Sequence, residues 1–428
     1  MNAFPRSNRV WIAVAAMAVA VTACGDKGQP GGTGDLGQPV RLDDWCRRDG
    51  LDEALRQTAV VIDERAVRPG QGAELRTANP ELFALVTGLA DAGAGQVGAL
   101  APRERLSIYL APTDGGAPRL ILSGCLPAMS AQEIEVARAA GAAGTGGLST
   151  YVTGGLGQEL ESARQAFQDA VLLALSKAAR APVPGSISAG GFTDGNLMSS
   201  LGSANLVIDG AGVPRFFLFT NLRTFPGGAD RTAARQAGFA AAREAEVNLG
   251  GADVVLVGPG ASSAGHGRDF AQAFFLGSQG RVLGWGGAAF NALPAAPVEV
   301  RTYTGEIVYP ADRFPMRLVI GRDAQNRLVN SWLIVRSDTE LATPIGGSLT
   351  CAEGVCRLVS DRGGLAQQWS PDPDPEPEFT PDLPLSGLRN IEAELTREYA
   401  RGEISDPHVG SFEGAPGTRS LTFNLTPL

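Results

Sequence analysis

Buried strands alternate with amphipathic helices over the greater part of this chain. The run Thr58–Asp63 has four consecutive apolar residues, three of them β-branched, and it ends at a carboxylate. An uninterrupted apolar run of this length is typical of a strand that is covered on both faces of a parallel sheet. The same kind of spacing predicts helices at 79–90, 158–179, 230–246 and about 268–276, and strands at 105–111, 119–124, 215–220 and 252–257. This alternation predicts an α/β fold with a doubly wound, mostly parallel sheet.

The turn Pro112–Gly116 is short enough to join the strands on either side of it as an antiparallel hairpin. Residues 139–157 are rich in Gly, Ala and Thr, and we expect a loop there. In open α/β sheets, ligands bind where strands end and the strand order reverses. Because Asp63 ends the first long strand, we expect it to lie in such a crevice.

The helical pattern stops at Pro294, and β-rich segments follow it. These segments lie at 298–303, 316–320, 328–335 and 348–351, with turns between them. They predict a smaller antiparallel β module over 297–428, separate from an α/β domain over 42–292. An acidic, proline-rich insertion at 370–384 favours a stiff, extended conformation. Since 420–425 again has a strand pattern, we expect the chain to return and complete the module.

A short apolar segment near the N-terminus follows two positive charges. Arg6 and Arg9 precede the apolar run 10–20, which is too short to cross a bilayer as a helix and is typical of a signal peptide. The tetrapeptide Val21–Cys24 then resembles the bacterial lipobox, in which the Cys becomes the diacylated first residue. We therefore expect a lipoprotein signal peptide over 1–23. An ordinary secretory signal followed by a chance cysteine is the alternative.

A lipid on Cys24 would anchor the chain stably in a membrane, because each buried methylene adds roughly 0.8 kcal/mol to membrane binding. Residue 25 is Gly and not Asp, which by resemblance to lipoprotein sorting rules favours the outer membrane, facing the periplasm, over the inner membrane. Residues 24–41 are rich in Gly and nearly free of apolar side chains, so we expect a flexible tether.

The overall charge argues against a nucleic-acid partner. The formal net charge is −9, and the chain has no cluster of basic residues with which to neutralise phosphates.

Four cysteines remain when Cys24 is set apart as the lipid site. An even number in an oxidising compartment favours two disulfides. Cys351 and Cys356 enclose a small loop between strand-like runs, and the pair Cys46–Cys125 then follows by elimination. The alternative, Cys125 as a catalytic thiol, would need a basic partner, and the chain has only two histidines.

The order of elements resembles the von Willebrand factor type A fold, and more closely the type A-like domains of bacterial exported proteins. Three family patterns, strand–Asp, GxRLxV and FSGCxP, correspond to Val60–Asp63, Arg103–Ile108 and Leu122–Pro127, with Arg103 where the second pattern has Gly. Phe270–Phe275 resembles the last helix of the family. The resemblance covers roughly 45–290.

The metal site of that family is only partly present. It uses D-x-S-x-S at the end of the first strand, a Thr from a second loop and a later Asp, which together hold Mg²⁺. Asp63 matches, but Arg65 and Val67 stand where the pattern has Ser. Thr193 is a candidate for the loop Thr, and Asn221 replaces the later Asp. We therefore expect a binding crevice at Asp63, Arg65, Thr193 and Asn221 without a metal or a cofactor.

Arg65 is two residues beyond Asp63, at a position where the family has a metal ligand. Its planar cationic fork can pair with a carboxylate. Our hypothesis is that Arg65 supplies the positive charge that Mg²⁺ supplies elsewhere. The alternative is that Arg65 points into solvent.

Two observations bear on an enzymatic function. Gly258–Gly265 lies between a strand and a helix and superficially resembles a dinucleotide-binding loop, but no second strand ending in Asp or Glu follows to hold a ribose. His266 and His408 are isolated, and there is no Gly-x-Ser-x-Gly nucleophile motif. We thus expect no catalytic residues.

These patterns together predict a membrane-anchored lipoprotein that binds an envelope protein or takes part in envelope assembly. A hydrolase or a nucleotide-cofactor enzyme on the same α/β scaffold is the alternative.

Overall fold

The computed structural model describes two units, a seven-stranded sheet covered by helices and a nine-stranded antiparallel sheet. The described residues are 38–46, 54–68, 73–91, 98–112, 116–129, 148–180, 200–201, 213–220, 230–258, 265–286, 293–308, 313–336, 340–360, 390–406 and 419–428. The predicted signal peptide, Cys24 and the acidic, proline-rich insertion lie outside these ranges.

The first sheet is mixed but mostly parallel. Its strands are β1 (Val40–Leu42), β2 (Arg56–Asp63), β3 (Arg105–Ala111), β4 (Arg119–Cys125), β5 (Val213–Phe219), β6 (Ala252–Val257) and β7 (Gly280–Trp285). Their order across the sheet is β1-β4-β3-β2-β5-β6-β7, and only β3 and β4 run antiparallel to each other. The predicted hairpin is therefore confirmed, and β2 is the central strand. Every residue of β2 is buried, as its apolar pattern predicts.

Helices cover both faces of this sheet. They are α1 (Ala73–Ala78), α2 (Pro80–Ala90), α3 (Leu148–Arg180), α4 (Arg231–Ala245) and α5 (Gly265–Gly277). Alternate residues of β2 divide between the two resulting cores. Val60 and Ile62 pack with α2 and α3, whereas Ala59 and Val61 pack with α4 and α5. The structure is thus an α/β fold wound on both sides of the sheet.

Three local predictions were wrong. The structure continues α3 back to Leu148 through residues predicted to be a loop, because propagating a helix costs much less than nucleating one, even through glycines that each cost about 1 kcal/mol. Strand β1 lies partly in the predicted tether, since Val40–Leu42 pair with β4. Asn directly before a helix predicts a side-chain cap, but the side chain of Asn79 bonds the backbone of Arg68 and does not cap α2.

The second sheet is antiparallel. Its strands are β8 (Glu299–Val308), β9 (Arg313–Arg322), β10 (Ser331–Arg336), β11 (Glu340–Ile345), β12 (Gly347–Ala352), β13 (Val355–Ser360), β14 (Asn390–Leu395), β15 (Ala400–Asp406) and β16 (Arg419–Pro427). The order β11-β10-β9-β8-β16-β15-β14-β13-β12 follows the chain, except that β16 pairs with β8. The predicted return of the chain is thus present.

This second sheet also closes on itself. The two end strands, β11 and β12, are joined by residue 346 alone. Strand β12 bonds back to the turn between β9 and β10, since Leu328 N–H donates to Gly347 O at 2.9 Å and Leu349 N–H donates to Asn326 O at 2.8 Å. The sheet therefore has a continuous inner face with its own core.

A small apolar contact joins the two units. Trp332 and Ile334, on the outer face of β10, pack against Phe239 of α4 and Leu276 of α5. Gly251 lies directly beneath the indole, because a Cβ at this position would be 2.9 Å from Trp332 Cδ1. A side chain at residue 251 would therefore push the units apart.

Both predicted disulfides are present. Cys46–Cys125 links the short 3₁₀ turn before β2 to the end of β4. Cys351–Cys356 lies across the β12–β13 hairpin, where the two residues face each other in register. Because Cys125 is disulfide-bonded, the catalytic-thiol alternative is excluded for this structure.

A buried carboxylate, Glu104, organises the amino-terminal edge of the parallel strands. Arg56 donates to its two oxygens at 3.0 and 2.8 Å, and Arg215 donates at 3.1 Å. The Thr58 hydroxyl also donates to it and in turn accepts a hydrogen bond from Arg215 at 2.8 Å. Burial alone would raise the pKa of Glu104, but the charges of Arg215 and Arg56 outweigh this effect and hold the pKa below 4.5.

The charges continue across the next two strands in register. Arg215 of β5 is paired in register with Asp253 of β6, and Asp253 with Arg281 of β7. Arg281 Nη2 lies 2.7 Å from Asp253 Oδ1, and Asp253 is 1% exposed. Charged side chains therefore cross the sheet from Glu104 and Arg56 through Arg215 and Asp253 to Arg281, and each carboxylate among them has an arginine on either side.

We expect Glu104→Gln to lower the free energy of unfolding by about 3 to 5 kcal/mol, because it leaves two buried guanidinium groups without their carboxylate. Since the folded-state pKa of Glu104 is depressed, this contribution should be complete above pH 4.5 and should disappear as the pH falls through the folded-state pKa. Urea unfolding of both chains over a pH series would measure the difference.

Asp43→Asn is the matched control. The Asp43 side chain is 43% exposed, so its ion pair with Arg105 should contribute less than about 1 kcal/mol to the free energy of unfolding. Equal losses in the two variants, or a difference that persists unchanged at low pH, would contradict this account of Glu104.

Candidate functional site

The strand order reverses beside β2. The chain first adds β3 and β4 on one side of β2 and then adds β5, β6 and β7 on the other. The carboxyl ends of β2 and β5 therefore flank the point at which α/β sheets form ligand crevices. Asp63 is the last residue of β2, and Thr220 directly follows β5. Asp63 therefore lies at the reversal of strand order, as predicted, and the crevice itself stays a prediction.

Asp63 and Arg65 form a bidentate, largely buried ion pair at this edge. Arg65 donates through Nε to Asp63 Oδ1 at 3.0 Å and through Nη2 to Oδ2 at 3.2 Å. The backbone N–H of Arg65 also donates to Oδ1 at 3.0 Å, which makes Asp63 the cap of a 3₁₀ turn over 64–66. The Asp63 side chain is 2% exposed and that of Arg65 is 10% exposed. The predicted pairing is therefore present, and Arg65 does not point into solvent.

Thr220 completes the surroundings of the carboxylate. Its hydroxyl donates to Asp63 Oδ2 at 3.0 Å, across a separation of 157 residues. This contact is not among those predicted from the sequence, although a polar residue directly after an apolar strand is a signal for such a role. The carbonyl of the same residue lies against Gly258, where a Cβ would be 2.5 Å from the oxygen. Close packing therefore explains the Gly at position 258, and residues 259–264 lie outside the described part of the chain.

A second ion pair lies beside the first. Glu64 is 6% exposed, and its Oε1 lies 3.6 Å from Nη2 of Arg119 on β4. The two acidic residues at the mouth of β2, Asp63 and Glu64, are thus each matched by an arginine from the same edge of the sheet. The other two predicted crevice residues, Thr193 and Asn221, lie outside the described residues.

The described residues at this edge do not fit a Mg²⁺ site. Both Asp63 oxygens accept hydrogen bonds from Arg65, and a guanidinium stands where a cation would approach. Arg65 and Val67, the second and fourth residues after Asp63, provide no hydroxyl oxygen. Within the described ranges, no group of three or more His, Cys, Asp or Glu side chains could hold a metal ion.

The histidine that the structure describes belongs to a separate cluster of charged side chains. His266, at the start of α5, is 46% exposed, and its Nδ1 is 4.0 Å from Asp269 Oδ2. Asp269 also pairs with Arg235 of α4 at 3.1 Å, so this cluster links two helices on the outside of the sheet. His408 lies outside the described residues.

We expect Arg65→Gln to lower the free energy of unfolding by about 2 to 3 kcal/mol, because it leaves the buried Asp63 carboxylate with Thr220 and backbone N–H donors alone. Adding Asp63→Asn should recover part of this loss, since the two side chains act as a pair. Thermal or urea unfolding of the single and double variants would measure the coupling. Arg68→Gln is the matched control, because Arg68 is exposed and its loss should be neutral. If the losses of free energy of unfolding in the two single variants simply added up in the double variant, the pairing would be contradicted.

Comparison of the chain with protein-family models and with curated protein sequences finds no match. Among the described helices, none combines the length and the apolar character that crossing a membrane requires.

Proposed function

We propose that this chain is a membrane-anchored, periplasm-facing lipoprotein that binds an envelope protein through a type A-like domain, without a metal ion. The observation that carries the proposal is the Asp63–Arg65 pair at the point where the strand order reverses. Arg65 occupies the place that a metal ligand has in the resembled family, and it neutralises Asp63 directly. A partner would then meet a preformed surface whose charge does not depend on the supply of divalent ions.

Two further features support the resemblance to the type A-like domains. Arg103, which stands where the GxRLxV pattern has Gly, has φ of +62°, a conformation that favours glycine. Gly124, in the segment that corresponds to FSGCxP, packs so closely that a Cβ would be 2.6 Å from Leu42 Cβ. The backbone conformation at residue 103 and the close packing at residue 124 thus both favour glycine, the residue that the family patterns have at these positions.

The enzymatic alternative finds less support at this edge. A hydrolytic site needs a nucleophile or a base with a perturbed environment and a partner that orients it. Both oxygens of Asp63 already accept hydrogen bonds from Arg65, and Glu64 forms an ion pair with Arg119, so these carboxylates are engaged within the protein.

The anchor is tested by Cys24→Ser. The variant should accumulate as uncleaved precursor and lose its lipid, because the lipobox cysteine is the acceptor of the diacylglyceryl group. Mass spectrometry of the N-terminal peptide and detergent partitioning of the envelope fraction would show the change. Thr33→Ala, nine residues after the anchor in the predicted tether, is the control and should be processed like wild type. Identical processing of Cys24→Ser and wild type would refute the lipid anchor.

Partner binding is tested by affinity purification of the tagged, full-length chain from its native envelope after mild cross-linking. We expect one or more partners that are recovered equally in EDTA and in Mg²⁺, because the charge at the crevice is supplied by Arg65. Arg65→Gln should reduce recovery by about tenfold or more, since charged groups at interfaces often contribute over about 1.4 kcal/mol, whereas Arg68→Gln should not.

Two outcomes would contradict the proposal. Loss of the partner in EDTA would show that binding needs a metal ion. Equal recovery with Arg65→Gln and Arg68→Gln, when both variants are folded by circular dichroism, would place the interface away from the crevice.

A further inference from the structure

One end of the closed sheet has charged side chains at positions that face inward. Side chains alternate between the two faces of a strand, so Glu299, Arg301 and Tyr303 of β8 share a face. Tyr303 belongs to the core inside the closed sheet, which puts Glu299 and Arg301 on the inner side as well. Arg322 of β9 is paired in register with Glu299 and completes the group. Inner positions further along the same strands, such as Ile307 and Leu318, are apolar.

The three charged side chains form a compact cluster. Arg301 donates through Nε to Glu299 Oε1 at 2.6 Å, and Arg322 donates through Nε to Oε2 at 2.6 Å. Arg322 also donates through Nη1 to Asn326 Oδ1 at 2.8 Å, in the turn that follows β9. One carboxylate between two guanidinium groups leaves one positive charge in excess. The three side chains are between 24% and 30% exposed, so solutes can reach them.

The cluster lines a depression with an apolar floor. The depression is shallow: most of its volume of about 230 Å³ is open solvent and its walls enclose room for about one water molecule, so a ligand would lie across the opening. The floor consists of Ile320 of β9, Leu349 of β12, Cys356 of β13 and Leu395 of β14. Behind the floor the closed sheet is filled by its own core, since Tyr303 is 1% exposed and Leu318 is fully buried. A ligand could therefore occupy the opening but could not thread a long chain into the interior.

We propose that this end of the closed sheet binds a short-chain monocarboxylate. The carboxylate would accept hydrogen bonds from terminal guanidinium nitrogens of Arg301 and Arg322, and the aliphatic chain would lie on the apolar floor. Glu299 accepts a hydrogen bond from Nε of each arginine, and these bonds hold both guanidinium groups in place. Because each guanidinium has five N–H donors, terminal N–H groups remain to bind a second anion. The openings of closed sheets, where a few polar groups converge on an apolar surface, are common ligand sites.

The charge and the floor together select this class of ligand. A single excess positive charge matches a monoanion better than a dianion such as phosphate. The apolar floor favours a ligand with hydrocarbon, and the limited volume excludes a long acyl chain. The competing explanation is that the three charges only cap the end of the sheet.

The test is calorimetric titration of the mature chain with hexanoate, with hexanol and inorganic phosphate at matched ionic strength as the other two probes. We expect hexanoate to bind and both other probes to bind at least about tenfold more weakly, because each lacks one half of the recognised chemistry. Arg301→Gln and Arg322→Gln should each weaken hexanoate binding by about tenfold.

Arg313→Gln is the matched control, because Arg313 and Glu306 form an ion pair on the same two strands at the opposite end of the sheet, where both are more than half exposed. It should leave hexanoate binding unchanged. Circular dichroism and unfolding curves would identify any variant that does not fold.

A measurement on the unmodified sequence keeps the proposal falsifiable if the variants unfold. In methyl-labelled wild-type protein, hexanoate should shift the signals of Ile320, Leu349 and Leu395 and leave those of Ile404 and Leu421, away from the depression, in place. Absence of binding, equal binding of phosphate or hexanol, or shifts spread over both ends would overturn the proposal and leave the charges as a structural cap.

Discussion

The register of the parallel strands depends on the burial of Glu104 between two arginines. A charge removed from water costs several kcal/mol unless an opposite charge and hydrogen bonds satisfy it. Glu104 lies just before β3, Arg56 begins β2 and Arg215 lies in β5, so a slip of any of these strands by one residue would turn a charged side chain to the other face of the sheet. Apolar runs such as those of β2 and β5 would tolerate such a slip far better. The buried charges therefore specify an alignment that the apolar core leaves open.

This alignment connects the two edges of the sheet. The amino-terminal edge holds the charged side chains from Glu104 to Arg281, and the carboxyl-terminal edge holds Asp63, Arg65 and Thr220. Thr220 reaches Asp63 only because β5 is aligned with β2, and the residue pair Thr58–Arg215 fixes that alignment at the other end of the same two strands. The contact of Thr220 with the Asp63–Arg65 pair thus depends on contacts that lie a whole strand length away.

The sequence predicted the parts of this molecule that local pattern controls. Strand β2 was recognisable because it is apolar on both faces, and the contact of Arg65 with Asp63 follows from a spacing of two residues. Strand β7 was missed because its two glycines weaken the strand pattern, and β11 because Pro344 interrupts it. Strands β14 and β15 carry charges on their outer faces, which conceal the apolar inner ones. The bond from Arg215 to Glu104 spans 111 residues, and the bond from Thr220 to Asp63 spans 157, so both depend on strand order, which no local pattern contains.

The position of the last strand of the second sheet, between β8 and β15, has a consequence for the fate of incomplete chains. Strand β16 pairs with both β15 and β8, the latter being the first strand of the sheet. A chain that lacked β16 would expose two unpaired edges at once, and open edges recruit other strands and are sites of aggregation and of proteolytic attack. Strands β8 and β16, which are the first and last of the sheet along the chain, must also pair before the fold is complete. Pairing between segments so far apart in sequence slows folding. The assembled sheet therefore requires β16, and products truncated before it would be left with the open edges that proteases and chaperones recognise.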